Sequence, residues 1–315
     1  MNNYFVKFVF LVAVVGAVLF SRTAYPTTYS SNTPETGSAN VEGLNKKVPL
    51  FILPPVAVSA GGDGVSVATT TVSNNAIPKL HAAVSLVADL VSGTPFESMN
   101  TSGRWPTASI TKLMTATIAV DKLDPTTKIT LTQEMFAADP TEVTLAVGGT
   151  YTVADLLRTM LLPSSNVAAE ALATFYGRDK FLTEMNDRAV LWGMKDTHFG
   201  DPSGLSASTQ STAADLEILA GRIYRDYRKI FEITRTPQVA ITEQNSNGKV
   251  IIKSINNFAG NPDFIGGKTG YTNEANGNLL SIFGYKGRPV LIVVLGTDNR
   301  FQDTQTLYDW FKHAH

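Results

Sequence analysis

The sequence predicts an α/β architecture, an antiparallel sheet flanked by helices with an all-helical lobe inserted into it. Three stretches carry that reading. A strand-like run from residue 83 opens the globular part. Text of helical period then fills most of residues 153–227. Apolar runs joined by a tight turn close the chain. Strands, then helices, then antiparallel strands is the order expected where a helical lobe interrupts a sheet.

Residues 83–89 read as a strand, and Ser92-Gly93 as the turn after it. Ser109 opens a helical pattern in which Ile110, Leu113, Met114 and Thr117 fall on one face. Helices are expected over 153–162, 167–176, 178–192 and 213–227, and Pro163 ends the first of them. Strands are expected over 264–272, 279–285 and 290–295, with Lys286-Gly287 in the tight connection between the last two. Residues 303–312 read as an amphipathic closing helix.

Ahead of this domain, residues 8–20 form an apolar run with Lys7 before it and Arg22 after it. A charged start and an apolar run of this length fit a secretory signal. Extended back through Tyr4-Phe5-Val6, the run approaches the ~20 residues of a membrane span. Ala24 suits a cleavage site, but Arg22 is not the small residue such a site needs. An uncleaved anchor is therefore favoured over a cleaved signal. Residues 1–22 are read as the signal or anchor segment, and 23–79 as a stalk rich in Ser, Thr, Pro, Gly and Asn. The globular domain is assigned to 80–315. The expected location is extracytoplasmic, either anchored to the cell membrane or secreted.

The chain has 315 residues, a net charge of −1 and no cysteine. Near-neutral charge gives no electrostatic reason to expect nucleic acid as a partner. The lack of cysteine excludes disulfides, thiol catalysis and thiolate metal sites. His81, His198, His313 and His315 stand in no metal-binding spacing, so neither metal nor cofactor is expected.

Three short motifs carry chemistry. Ser109-Ile110-Thr111-Lys112 places two side chains on one helix face. A serine hydroxyl needs a base to become a nucleophile. Lys112 can be that base if burial and a second cation, Lys268, depress its pKa. Ser164-Ser165-Asn166 follows Pro163 on a short loop. Its hydroxyl can relay a proton and its amide can grip a peptide bond, while Asn166 caps the next helix and Ser164 faces a cleft. Lys268-Thr269-Gly270 lies in a strand with further glycines at 266 and 267. Such a strand can approach another backbone closely and pair with an extended peptide.

Together these motifs resemble those of the serine D-alanyl-D-alanine carboxypeptidases, low-molecular-mass penicillin-binding proteins with the β-lactamase/DD-peptidase-like fold. The resemblance extends through Pro106-Thr107-Ala108, the segment from Gly193 to Phe199, Pro202-Ser203-Gly204-Leu205, Tyr271-Thr272, and Leu295-Gly296 to Trp310-Phe311. It implies that Ser109 attacks the bond between two terminal D-alanines of a peptidoglycan stem peptide. Lys112, Ser164 and Asn166 would assist, and the backbone N–H groups of Ser109 and Tyr271 would form an oxyanion hole. Lys268, Thr269, Gly270, Tyr271 and Arg300 would bind substrate, with Arg300 on the terminal carboxylate. β-Lactams would acylate Ser109.

Two residues depart from the family pattern. Ser165 stands where glycine or alanine is common, and Val167 where an acidic residue is frequent. The chain stops after the catalytic domain, so the N-terminal segment is expected to do the anchoring. The nearest alternative is a D,D-endopeptidase acting on cross-links. A class A β-lactamase is further off, because it would need Ser-Asp-Asn and a deacylating Glu. An inactive peptidoglycan-binding homologue is opposed by the complete motif set.

Overall fold

A computed structural model describes residues 76–139, 142 and 144–315. The anchor segment, and the stalk up to residue 75, lie outside the described residues. Strands β1 (Val84–Asp89) and β2 (Thr94–Met99) form a hairpin, and β3 (Trp105–Pro106) leads into a 3₁₀ turn, Ala108–Thr111. Helix α1 (Lys112–Lys122) follows, then β4 (Lys128–Thr130) and β5 (Thr150–Thr152). The lobe continues with α2 (Val153–Leu161), α3 (Asn166–Tyr176), α4 (Arg178–Trp192), β6 (Gln210–Ser211), α5 (Ala213–Asp226) and α6 (Arg228–Thr234). A ribbon of β7 (Gln238–Thr242) and β8 (Lys249–Lys253) precedes β9 (Phe264–Thr272), β10 (Asn276–Tyr285), β11 (Arg288–Thr297) and α7 (Arg300–Ala314).

The main sheet has the order β2-β1-β11-β10-β9 and is antiparallel throughout. It is covered on both faces. Val290, Ile292 and Val294 of β11 pack towards Leu307, Tyr308 and Phe311 of α7. Leu291, Val293 and Leu295 point the other way, into the core shared with α1, α2 and α5. This explains why β11 reads as a continuous apolar run and not an alternating one. Among the described residues no helix is long and apolar enough to cross a membrane.

Four expectations need correction. Ser109 does not open an α-helix; it sits in the 3₁₀ turn, and α1 begins at Lys112. Asn166 is not the cap of α3. Ser165 takes that role, its Oγ accepting from Ala168 N at 3.1 Å. The anticipated strand starting at residue 279 begins three residues earlier, at Asn276. The helix anticipated from 303 starts at Arg300.

Candidate active site

The nucleophile turn is held in an unusual backbone state. Ala108 has φ +48°, a left-handed value that costs energy for a residue with a Cβ. Across the turn, Thr107 Oγ1 and Thr111 Oγ1 share a hydrogen bond of 2.8 Å. One turn on, Lys112 brings its Nζ to 2.7 Å from Ser109 Oγ. The same Nζ donates to Asn166 Oδ1 at 2.7 Å and to the Ser203 carbonyl at 3.1 Å. Lys112 is wholly buried. Burial lowers its pKa to about 7, against the upward pull of the Asp201 and Asp139 carboxylates.

The second motif joins the ends of two helices. Ser164 has φ +68°, and its Oγ accepts from Lys268 Nζ at 2.8 Å. Ser165 caps α3 and also donates its hydroxyl to the Glu142 carboxylate. Because Ser165 does the capping, the Asn166 amide is free for other partners. Its oxygen meets Lys112, and its Nδ2 donates to Asp139 Oδ2 at 3.3 Å.

The third motif lies on β9, an edge strand of the main sheet. Lys268 is buried, and Nζ also donates to the Thr269 carbonyl at 3.0 Å. Burial holds its pKa well below the ordinary lysine value, and the Lys112 and Arg300 charges push it lower still. At Lys112 burial is likewise the depressing cause, and the second cation expected there, Lys268, is not among the causes of its shift. Gly270 allows a close approach to the nucleophile turn: a Cβ there would lie 2.8 Å from the Thr107 carbonyl oxygen. Arg300, the first residue of α7, donates from Nη1 to the Gly270 carbonyl at 2.9 Å. A cleft of about 110 Å³ is lined by Ser109, Ser164, Ile255, Thr269, Gly270, Tyr271 and Arg300. A larger cavity of about 510 Å³ shares Tyr271 and Arg300 with it and is otherwise mostly polar, with Asn276, Asp298, Asn299 and Gln302.

The fold therefore gathers every residue singled out in the sequence: Ser109, Lys112, Ser164, Asn166, Lys268, Thr269, Gly270, Tyr271 and Arg300. It also adds groups that sequence reasoning missed, namely Asp139, Asp201, the Ser203 carbonyl and Ile255. Only Asp201 left a local signal. An Asp before Pro-Ser-Gly favours a turn closed by its own side chain.

Chemically, a serine hydroxyl beside a buried lysine of lowered pKa, facing a glycine-rich sheet edge, defines a serine acyl-transfer site. Solved structures carry the same architecture. A D-alanyl-D-alanine carboxypeptidase from Mycobacterium tuberculosis aligns with TM-score 0.69 at 31% identity, covering 75% of this chain and 93% of that one. Penicillin-binding protein D2 from Listeria monocytogenes, in its cefotaxime-bound form, aligns with TM-score 0.66 at 31% identity, over 74% and 98% of the two chains.

The chain belongs to the D-alanyl-D-alanine carboxypeptidase family, peptidase S11, whose sequence profile matches residues 69–299. It is 31% identical over 244 residues to D-alanyl-D-alanine carboxypeptidase DacB2 of Mycobacterium tuberculosis, covering 74% of this chain and 83% of the relative. It is 33% identical over 246 residues to a D-alanyl-D-alanine endopeptidase of Pseudomonas aeruginosa, covering 74% and 78%.

Proposed function

We propose that the protein is a serine D,D-carboxypeptidase that removes the terminal D-alanine from peptidoglycan stem peptides through an acyl-Ser109 intermediate. The observation that carries this is the 2.7 Å contact of Lys112 Nζ with Ser109 Oγ inside a fully buried site. A neutral amine has two N–H bonds and one lone pair. Asn166 Oδ1 and the Ser203 carbonyl accept the two N–H bonds. The lone pair then faces the Ser109 hydroxyl.

Ser109 Oγ attacks the carbonyl carbon of the scissile bond while its proton passes to Lys112. The backbone N–H groups of Ser109 and Tyr271 receive the oxyanion, as the family resemblance implies. Ser164, held by Lys268, passes a proton to the departing amine and is reprotonated with the proton that Lys112 took from Ser109, so Lys112 returns to the neutral amine and D-alanine leaves. Arg300 and Thr269 hold its carboxylate. Water then resolves the ester. β-Lactams acylate the same serine and inhibit the enzyme. The apolar run at 8–20 and the polar stalk support tethering to the outer face of the cell membrane.

One observation favours a second reading, cleavage of cross-links. The 510 Å³ cavity beyond Arg300 is within the roughly 300–1,000 Å³ range of small-molecule sites. It leaves room for a leaving group larger than D-alanine.

Fluorescent penicillin labelling with mass spectrometry of the adduct tests the assignment. The adduct is expected on the peptide containing Ser109, and Ser109→Ala should abolish labelling. An adduct on Ser164 or Ser165 overturns it. Products from a purified muropeptide mixture then separate D-alanine release from cross-link cleavage.

A further inference from the structure

Lys112 works as described only if its two N–H acceptors stay fixed, and one of them is a turn carbonyl, Ser203 O. That turn closes on a single carboxylate. Asp201 Oδ1 accepts from Ser203 N at 2.8 Å, Ser203 Oγ at 2.6 Å, Gly204 N at 2.6 Å and Leu205 N at 3.2 Å. Its Oδ2 accepts from Ser206 N at 2.8 Å and Thr209 Oγ1 at 3.0 Å.

The turn is also locked to both partners of the catalytic pair. Thr115 Oγ1, on the helix that carries Lys112, donates to the Pro202 carbonyl at 2.6 Å. Gly204 has φ +86°, and a Cβ there would lie 1.9 Å from the Ala108 carbonyl oxygen, next to Ser109.

We propose that Asp201 is a positioning residue for the base: it fixes the Ser203 carbonyl that receives one N–H of Lys112, and so aims the Lys112 lone pair at Ser109. The proposal rests on the reading of Lys112 as the base. Electrostatics gives the same carboxylate a second effect. Burial alone would raise the Asp201 pKa, but its hydrogen bonds outweigh burial and keep it below the ordinary value. Asp201 therefore stays ionised and favours the ammonium form of Lys112, as Asp139 does from beyond Asn166. Lys268 on β9 is itself lowered, by burial first and then by the charges of Lys112 and Arg300. Arg178 on α4, paired with Glu170, faces Asp201 as well. The attack by Ser109 turns Lys112 into an ammonium, so the carboxylate stabilises the product of that proton transfer.

The test is the rate of acylation by fluorescent penicillin against pH, on the full chain and on Asp201→Asn. The Asn variant keeps the shape but loses the charge. The acid limb should move to lower pH by roughly one unit, as when an opposite charge is withdrawn. The high-pH plateau should fall about tenfold to a hundredfold, as expected when a reacting group loses its aim. A purely structural role would lower the melting temperature and leave the limb in place.

An unmoved limb together with an unchanged plateau overturns the proposal. Failure of the underlying reading looks different: the wild-type protein shows no acid limb, or Lys112→Arg acylates normally. If Asp201→Asn does not fold, Thr115→Val loosens the same turn without touching the carboxylate. It should lower the plateau with the limb in place, and an unchanged plateau there also overturns the proposal.

Discussion

A lysine can accept a proton near neutral pH only where its ammonium form is poorly solvated, and Lys112 meets that condition at 0% exposure. Its lowered pKa of about 7 fixes the sign of the pH response. The base is neutral above that value, so acylation should rise as pH passes through about 7 and then level off. Stopped-flow labelling at several pH values would read it, and a flat profile would remove Lys112 from the role. The same shift affects stability. Between about 7 and the ordinary 10.5, the unfolded chain binds a proton at this residue that the folded one does not. This group therefore costs stability at low pH, and the cost is relieved as pH rises through that window. Lys112→Arg keeps a cation that does not deprotonate near neutral pH, so it should fold and yet fail to acylate. Arg300 has a different task. Its guanidinium reaches the β9 edge at the Gly270 carbonyl, where a substrate carboxylate would lie. Arg300→Ala should raise KM for D-Ala-D-Ala peptides by about one to two orders of magnitude, the scale of a lost charged hydrogen bond. Amidated peptides should be affected much less, and equal losses on both would show that Arg300 is structural.

At the scale of elements, Ser165 links helix capping to the catalytic groups. It caps α3 while binding Glu142, and this leaves the Asn166 amide to Lys112. Ser165→Ala should cost about 1 kcal/mol as a lost cap. A melting curve should fall by roughly 2–4 °C, with slower acylation because Asn166 competes for the cap. A melting point within error of wild type would dismiss the cap. The strongly periodic elements were readable in the sequence. β9, β11 and α2 to α5 announce themselves by apolar period and by breakers such as Pro163. β2 was not anticipated, because Pro95 argues against a strand, and only its place at the sheet edge tolerates that residue. β10 starts earlier than its apolar run because Asn278, buried and polar, is satisfied by the Pro106 carbonyl and by Gly296 N. α6 and the β7–β8 ribbon are too short to show a period. The candidate site divides in the same way. Its three motifs are contiguous words, so they could be read. Asp201 left a turn signal and Asp139 none, but the tie of either to Lys112 arises only when the fold brings their loops together, and no spacing rule gives it.

For the molecule as a whole, every group given a role above lies among the described residues. The main sheet, the lobe and α7 supply every group invoked above. A chain starting at Ala76 should therefore be soluble, fold and bind penicillin. If it folds without labelling, the preceding segment takes part in the site. The sheet itself has a further consequence. No described strand pairs with the outer side of β9. A strand left open to receive a peptide is also open to a neighbouring molecule, which is how edge strands drive aggregation. Substrate occupancy and colloidal behaviour are then two uses of one row of backbone groups. Protein acylated by a β-lactam, with that row covered, should scatter less light in concentrated solution than the free enzyme does. Equal scattering would show that Tyr271, Ile255 and their neighbours already shield the edge from other copies.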